Sequence, residues 1–245
     1  YQLALEESEM GILDPSGSGD WTALHGASIA ERSVWFQFTL SNTDYMGAGK
    51  LLVDMLERDN DSRLNIYFLG SGTPNIVGVS PGDSIQNASM LNITGHYGMQ
   101  WEPEFVSWYE NHFIQAECYF QLGNESLALS KLNETLDGIE QRWQGLGFSS
   151  ASIPRYDNLL GEDLLAAIMN EKYKALFLNM QSWSDWRRTG YPNFVDSDDN
   201  STECGGTSGG ISVPRRLLYP EKEKASNPNC PRNDDIYDRL ENDPS

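Results

Sequence analysis

The fold is decided by residues 103–143, which read PEFVSWYENHFIQAECYFQLGNESLALSKLNETLDGIEQRW. Apolar residues recur there at spacings of three and four, the period of one face of an α-helix. The first set is Phe105, Tyr109, Phe113, Ala116 and Phe120, and the second is Ala128, Leu132, Leu136, Ile139 and Trp143. Pro103 suits the first turn of the first helix, and Gly123 suits its end. The pattern predicts two amphipathic helices in an antiparallel hairpin.

A third helix is predicted for residues 160–182, where the same spacing returns. Its apolar side chains are Leu165, Met169, Tyr173, Leu176 and Met180. Residues 116–123, followed by Ala128, resemble a tetratricopeptide repeat unit. One such unit cannot cover its own apolar faces, so we expect the hairpin to pack against other helices. The predicted fold class is mainly α, a tetratricopeptide-type helical hairpin with extensive loops and little strand.

Short apolar runs alternate with Gly, Ser and Asp clusters over residues 1–43. Residues 14–20 are a loop by composition, and they deliver Trp21 and His25 into polar, exposed surroundings. Residues 33–40 alternate enough to predict a short strand or an extended segment.

Further along, residues 44–57 are predicted to form a helix with Asp44 as its cap. Residues 70–101 read as a long polar loop, rich at first in Gly, Pro and Ser. Residues 221–245 are polar with several prolines, and they predict a loop followed by an irregular tail.

The chain is strongly acidic: 17 Lys and Arg against 36 Asp and Glu give a net charge of −19. Such a surface repels nucleic acid and anionic lipid head groups. The acidity is explained by a neutral or cationic ligand, by a salty habitat, or by solubility alone. No apolar run approaches the ~20 residues of a membrane-spanning helix, and the start lacks the pattern of a signal peptide. We therefore expect a soluble chain.

The sequence offers poor ligands for a metal. Its three cysteines form no C-x-x-C pair, and its three histidines are scattered, so a zinc site is not predicted. Cys204 and Cys230 could form a disulfide in an oxidising compartment, whereas Cys118 is expected to be a buried thiol. Residues 196–200 begin like a calcium loop, but Ser201 and Thr207 stand where Gly and Glu are required.

No catalytic motif is present either. The chain lacks a Gly-x-Ser-x-Gly elbow, a His-Glu-x-x-His pair and a phosphate-binding Gly-Lys loop. Pairs of carboxylates, the requirement for glycoside hydrolysis, arise by chance in so acidic a chain. We predict that the protein is not an enzyme and uses no cofactor.

Several motifs resemble those of the SusD-like (SusD/RagB) family of outer-membrane nutrient-binding lipoproteins. Two of them are specific, WSDWRRTGYP at residues 183–192 and VPRRLLYP at residues 213–220. Weaker matches keep the family's order over residues 44–229; they lie at 60–64, with Ser62 where Pro is usual, and at 76–82, 116–117 and 171–177. The arginines of the two specific motifs are interpreted as scaffold residues that tie loops to helices, with an anion site as the alternative; they are Arg187, Arg188, Arg215 and Arg216.

The resemblance implies that residues 1–245 are the C-terminal portion of a SusD-like domain, with residues 230–245 a polar tail. It implies a place on the outward-facing surface of the outer membrane, through a lipid anchor that lies outside this chain. It further implies an oligosaccharide or polysaccharide as cargo and a TonB-dependent transporter of the SusC type as partner. Much of the family's ligand surface belongs to a first half that this sequence does not include.

The candidate ligand-binding residues are Trp21, His25, Tyr97 and Trp101. Polar, turn-rich sequence surrounds them, no apolar period includes them, and aromatic rings suit the apolar faces of sugars. For each ring the alternative is packing beneath its own loop. For the whole chain the alternatives are a helical-repeat scaffold that binds only proteins and, less favoured, a glycoside hydrolase.

Overall fold

A computed structural model describes residues 1–11, 13–42, 45–70, 72, 75–80, 84–194 and 219–230. The chain divides into two compact units, Tyr1–Pro192 and Asn193–Ser245. In the first unit the helices are α1 (Gln2–Glu9), α2 (Val34–Ser41), α3 (Lys50–Arg58), α4 (Arg63–Tyr67), α5 (Trp108–Gln121), α6 (Glu125–Gly145), α7 (Gly161–Ala175) and α8 (Gln181–Thr189). The described part of the second unit contains α9 (Glu221–Ser226), where the sequence predicted only loop.

Strands are few and short in the described residues. They are β1 (Trp21–Thr22), β2 (Phe68–Leu69), β3 (Met90–Leu91) and β4 (Glu104–Val106). β1 pairs with β4 and β2 pairs with β3, both antiparallel, and the β1–β4 register shifts between Trp21 and Thr22. β3 and a 3₁₀ turn at Ile85–Asn87 interrupt what the sequence presented as an unbroken loop. The mainly α fold class with little strand is confirmed.

The predicted hairpin is present as α5 and α6, joined at Gly123, whose φ of +80° favours glycine. The apolar sets meet between the helices, where Phe113, Ala116, Leu132 and Leu136 are all 0% exposed. α5 begins later than Pro103 suggested, because the Ser107 hydroxyl caps it by accepting the Glu110 N–H at 3.3 Å. Phe105 therefore precedes the helix, in β4, and is exposed rather than buried.

The third predicted helix is interrupted. α7 ends at Ala175, and Leu178 has a left-handed φ of 66° that no helix can continue through. A separate helix, α8, begins at Gln181 and ends at Gly190, a glycine C-cap with φ +79°. Most of the motif at residues 183–192 is thus helical, not a loop.

One prediction upstream was wrong and another was only partly confirmed. Residues 33–40, predicted as a strand, lie almost entirely in α2, since the Gln37 N–H donates to the Ser33 carbonyl and opens a helix. The helix predicted for residues 44–57 begins only at Lys50. Its proposed cap, Asp44, lies outside the described residues, and α1 was not foreseen at all.

Five charged side chains form what we term the inner ion network: Asp59, Asp61, Arg63, Glu171 and Lys174. Arg63 donates to the Asp61 carboxylate at 2.5 and 3.0 Å and also to Glu171, with all three side chains 0% exposed. Lys174 pairs with Glu171, and it reaches Asp59 at 3.0 Å. The network joins two of the family-like motifs, at residues 60–64 and 171–177, which are far apart in the sequence.

A second charged group ties α5, α7 and α8 together. Lys172 pairs with Asp185 at 2.7 Å, and Arg188 binds both Asp185, at 2.9 Å, and the Glu117 carboxylate. The scaffold interpretation is confirmed for Arg188, although it joins helices rather than a loop to a helix. Arg215 and Arg216, with Cys204 and the calcium-like loop, lie outside the described residues.

Gly138 in α6 is where the hairpin is closest, because a Cβ there would lie 2.2 Å from the Trp108 ring. We expect Gly138→Ala to destabilise the protein by about 1–3 kcal/mol, since this clash exceeds the gain of about 1 kcal/mol in helix propensity. The matched control is Gly145→Ala in the same helix, where nothing lies within 4 Å. That change should stabilise slightly in urea denaturation. A Gly138→Ala variant as stable as the wild type would contradict this close packing.

Candidate functional site

A cleft of about 1060 Å³ opens on the first unit. Four stretches distant in sequence form its walls, namely residues 15–22, 95–104, 139–146 and 175–179. Tyr67 and Tyr109 complete the lining. A concave site that gathers aromatic and polar groups from several elements is the usual form of a small-molecule site.

Arg142 anchors one wall. Its guanidinium donates to the Asp20 carboxylate at 2.6 Å and to the Glu104 carboxylate at 2.5 Å. The other oxygen of Asp20 accepts the backbone N–H of Trp108 at 2.7 Å, and the Tyr109 hydroxyl donates to Glu104. Burial raises the pKa of Glu104 above its ordinary value, and the Arg142 charge only partly offsets that shift. These bonds fix loop 14–20 and β4 to α6.

Position 17 in that loop requires a glycine. Its φ is +81°, and a Cβ there would lie 2.6 Å from a guanidinium nitrogen of Arg142. The loop is closed further by Asp14, whose carboxylate accepts the Ser16 N–H at 2.8 Å and the Ser18 hydroxyl at 2.6 Å. The Gly, Ser and Asp composition therefore produces a tight turn that packs on Arg142.

Aromatic rings form the floor. Tyr67 stacks on Phe177 at 4.8 Å between centroids and meets Tyr97 and Trp143 edge-on at 6.0 and 6.1 Å. The Tyr67 hydroxyl donates to the Lys174 carbonyl at 3.0 Å, which places this floor directly beside the inner ion network. The indole N–H of Trp143 is buried and has no partner among the described residues.

His96 stands among these rings, 4.5 Å from Trp143 and 4.7 Å from Tyr97 between centroids. Burial, with a smaller contribution from the Arg142 charge, lowers the pKa of His96 to about 4. At neutral pH the imidazole is therefore uncharged, with one nitrogen that donates and one that accepts. No described residue hydrogen-bonds to either nitrogen, and His96 is part of the cleft lining.

Outside the cleft, on the β1–β4 pair, lies what we term the aromatic ledge, Trp21 and Phe105. Their ring centroids are 5.4 Å apart, and the side chains are 66% and 56% exposed. Thr22 and Glu104, their neighbours in the strands, line the cleft. Side chains alternate between the faces of a strand, so one pair of strands supplies both the ledge and a cleft wall.

The four candidate ligand-binding residues do not all lie in the cleft. Tyr97 and Trp101 line the cleft with centroids 4.8 Å apart, and Trp21 forms the ledge beside it. Tyr97 is only 3% exposed and belongs to the floor, which corresponds to the alternative of packing beneath its own loop. His25 lies elsewhere, in a shallow groove with Arg32 and Val34, where its Nδ1 is 3.0 Å from the Glu31 carbonyl oxygen.

Sequence reasoning missed His96, Arg142 and Phe177. His96 lies beside Tyr97 in the same polar stretch and could have been found by the rule that selected Tyr97. Arg142 immediately precedes Trp143 in an amphipathic helix, where a charged residue is expected to be merely solvated. Nothing in the local sequence of Phe177 distinguishes it from the core residues around it.

The described residues contain no group of three His, Cys, Asp or Glu side chains placed to hold a metal. Within the same ranges, no helix combines the length and apolar character needed to span a membrane. The site is thus defined by aromatic rings, hydrogen-bonding groups and the paired Arg142.

Fold and site together define a mainly helical protein with an aromatic-lined cleft. A family model described as SusD-like, starch-binding associating with outer membrane, matches residues 6–220. The chain therefore belongs to the SusD-like family, and the resemblance carried by the motifs is confirmed. A comparison with curated proteins returned no match.

Solved structures share the fold. A SusD homologue from Bacteroides fragilis superposes with a TM-score of 0.67 at 16% identity, covering 91% of this chain and 55% of that one. A second SusD homologue from the same organism has a TM-score of 0.59 at 17% identity, covering 92% of this chain and 55% of that one. A chitin-binding protein has a TM-score of 0.61 at 20% identity, covering 86% of this chain and 50% of that one. The chain thus spans about half the length of these proteins.

Proposed function

We propose that this chain is the C-terminal portion of a non-catalytic glycan-binding protein. It is attached by a lipid anchor outside this chain to the outward-facing surface of the outer membrane, and it passes oligosaccharide to a SusC-type TonB-dependent transporter. The observation that carries the proposal is the aromatic ledge beside an aromatic-floored cleft. Membership of a family described as starch-binding at the outer membrane supports it, as does the fold shared with a chitin-binding protein.

Binding of a glycan in this site requires no covalent step. The exposed faces of Trp21 and Phe105 offer apolar area to the faces of pyranose rings, as aromatic side chains do in many interfaces. Within the cleft, His96 and the Gln100 amide offer hydrogen bonds to sugar hydroxyls. A ligand that spans ledge and cleft would bury both sets of groups.

The carboxylates of the cleft do not favour hydrolysis. Glycoside cleavage needs one carboxyl free to donate a proton and a second free to attack or to activate water. Asp20 and Glu104 are instead both engaged by the same guanidinium, and Glu102 accepts the Thr22 hydroxyl at 3.0 Å. We infer that bound glycan leaves the site intact.

The test is calorimetry with maltooligosaccharides and chitooligosaccharides as probes. We expect Trp21→Ala and Trp101→Ala each to weaken binding about tenfold, which corresponds to about 1.4 kcal/mol, a common loss for an aromatic anchor. Tyr45→Ala is the matched control, because Tyr45 is 77% exposed and lies outside the cleft lining. Unchanged affinity in both tryptophan variants would refute the site. Absence of sugar binding, with a transporter recovered on pull-down, would favour the protein-binding scaffold.

A further inference from the structure

The charge of the cleft is set by few groups. Among the described lining residues the carboxylates are Asp20, Glu102 and Glu104, and Arg142 is the one cationic side chain. No lysine occurs in that lining. The balance is therefore negative, and it stays negative if Glu104 is protonated, because Asp20 and Glu102 still outnumber Arg142.

The guanidinium of Arg142 is not available to bind an anionic ligand. Its two terminal nitrogens bind Asp20 and Glu104, its side chain is only 17% exposed, and the Asp20 side chain is 0% exposed. Recruiting the guanidinium for a ligand carboxylate would leave a buried carboxylate without its partner, which is strongly unfavourable. The two ion pairs that hold loop 14–20 therefore already engage the guanidinium of Arg142.

The remaining candidate for a positive charge in the described lining is His96. Its depressed pKa of about 4 keeps the ring neutral at physiological pH. It presents a donor and an acceptor to hydroxyl groups, and it does not attract an anion. Glu102, in contrast, is exposed at the rim, where an incoming ligand would meet its negative charge.

We propose that the cleft selects uncharged saccharides and rejects those that carry carboxylate or sulfate groups. This inference rests on the proposed function and narrows its ligand class. An acidic sugar entering the cleft brings its charge near Glu102 and Glu104, and the described lining residues supply no free cation to compensate it. Like charges a few ångströms apart repel each other in water, and they repel more strongly in a partly buried site. An uncharged sugar meets no such penalty.

The experiment uses one matched pair of ligands on the protein as it exists. The first is whichever maltooligosaccharide or chitooligosaccharide binds in calorimetry, and the second is the same oligosaccharide with its C6 hydroxyls oxidised to carboxylates. We expect the oxidised form to bind at least about tenfold more weakly in 50 mM salt, and the gap to narrow at higher salt as screening increases. Equal or tighter binding of the oxidised form would overturn the inference while leaving glycan capture intact. Failure of every saccharide to bind would overturn both.

A charge variant makes the test specific to the cleft. Glu102→Gln removes the rim charge but keeps an oxygen that can accept the Thr22 hydroxyl. It should raise affinity for the oxidised ligand several-fold and change affinity for the neutral ligand by a smaller factor. The control Glu57→Gln removes the same charge from an exposed position in α3, outside the lining. If both variants change the oxidised-ligand affinity equally, the selection comes from net charge, and the cleft assignment fails.

Discussion

Replacing Arg63 with Met is expected to lower the free energy of unfolding by about 3–5 kcal/mol, the usual cost of removing one partner of a buried ion pair. Arg63 is completely buried, and its guanidinium is bound by Asp61 and Glu171, both also inaccessible to water. Met fills a similar volume but leaves two carboxylates with only Lys174 to compensate them. The dominant loss is therefore the uncompensated charge rather than the packing.

Urea denaturation at neutral pH measures this effect, and Asp54→Asn is its control. Asp54 pairs with Lys50 on the surface of α3, with side chains 46% and 41% exposed. Exposed pairs contribute little, so we expect that variant to lose less than about 1 kcal/mol. Comparable losses in the two variants would contradict a special role for burial.

Acid provides an independent check on the same network. Burial raises the pKa of Glu171, but the Arg63 and Lys174 charges outweigh it, and the pKa lies below its ordinary 4.5. A carboxyl whose pKa is lowered by folding stabilises the native state above its unfolded pKa, and this contribution is lost as pH falls through the folded value. The difference between wild type and Arg63→Met should therefore shrink as the pH falls below 4.5, the ordinary pKa of a glutamate. A gap that stays constant there would assign the loss to packing alone.

Tyr67→Ala is expected to cost about 3–5 kcal/mol, because truncating a large buried aromatic leaves a cavity that its neighbours fill only partly. Tyr67 is 2% exposed, and its ring contacts Phe177, Tyr97 and Trp143. Its hydroxyl also binds the Lys174 carbonyl near the end of α7, where helical carbonyls lack partners in the helix. The side chain therefore supports both the floor of the cleft and the end of a helix.

Two variants separate these contributions in thermal or urea denaturation. Tyr67→Phe keeps the ring and removes the hydrogen bond, so its loss should be about 1 kcal/mol. Tyr45→Ala removes an exposed tyrosine and should lie within about 0.5 kcal/mol of the wild type. If Tyr67→Phe costs as much as Tyr67→Ala, the ring contacts contribute little and the floor is not the packed layer described.

The hairpin was predictable because its apolar period is long and is punctuated by Gly123. α2 was not, because VWFQFTLS is rich in residues that favour strands, and only its tertiary setting makes it helical. The break after Ala175 could not be seen in the sequence, because the apolar spacing runs on from Leu176 to Met180. The left-handed backbone at Leu178, between them, carries no sequence signal in a non-glycine residue.

For the site, the exposure of Trp21 followed from its polar, glycine-rich setting, and the structure places it on the ledge. The cleft itself could not be derived, because its walls come from four separated stretches and become neighbours only through tertiary packing. Tyr97 shows the limit of the rule: a polar neighbourhood in sequence does not reveal that a ring turns inward beneath its loop.

The inner ion network also limits how this sequence can diverge. A lineage that loses Arg63 or Glu171 alone passes through a state with an unbalanced charge in its interior, so single replacements are selected against even where the final combination would fold well. Descendants of a common ancestor are expected to retain the residues of the inner ion network together or to exchange them as a set. Correlated change at positions 61, 63, 171 and 174 would then trace ancestry among sequences too distant for pairwise identity to do so.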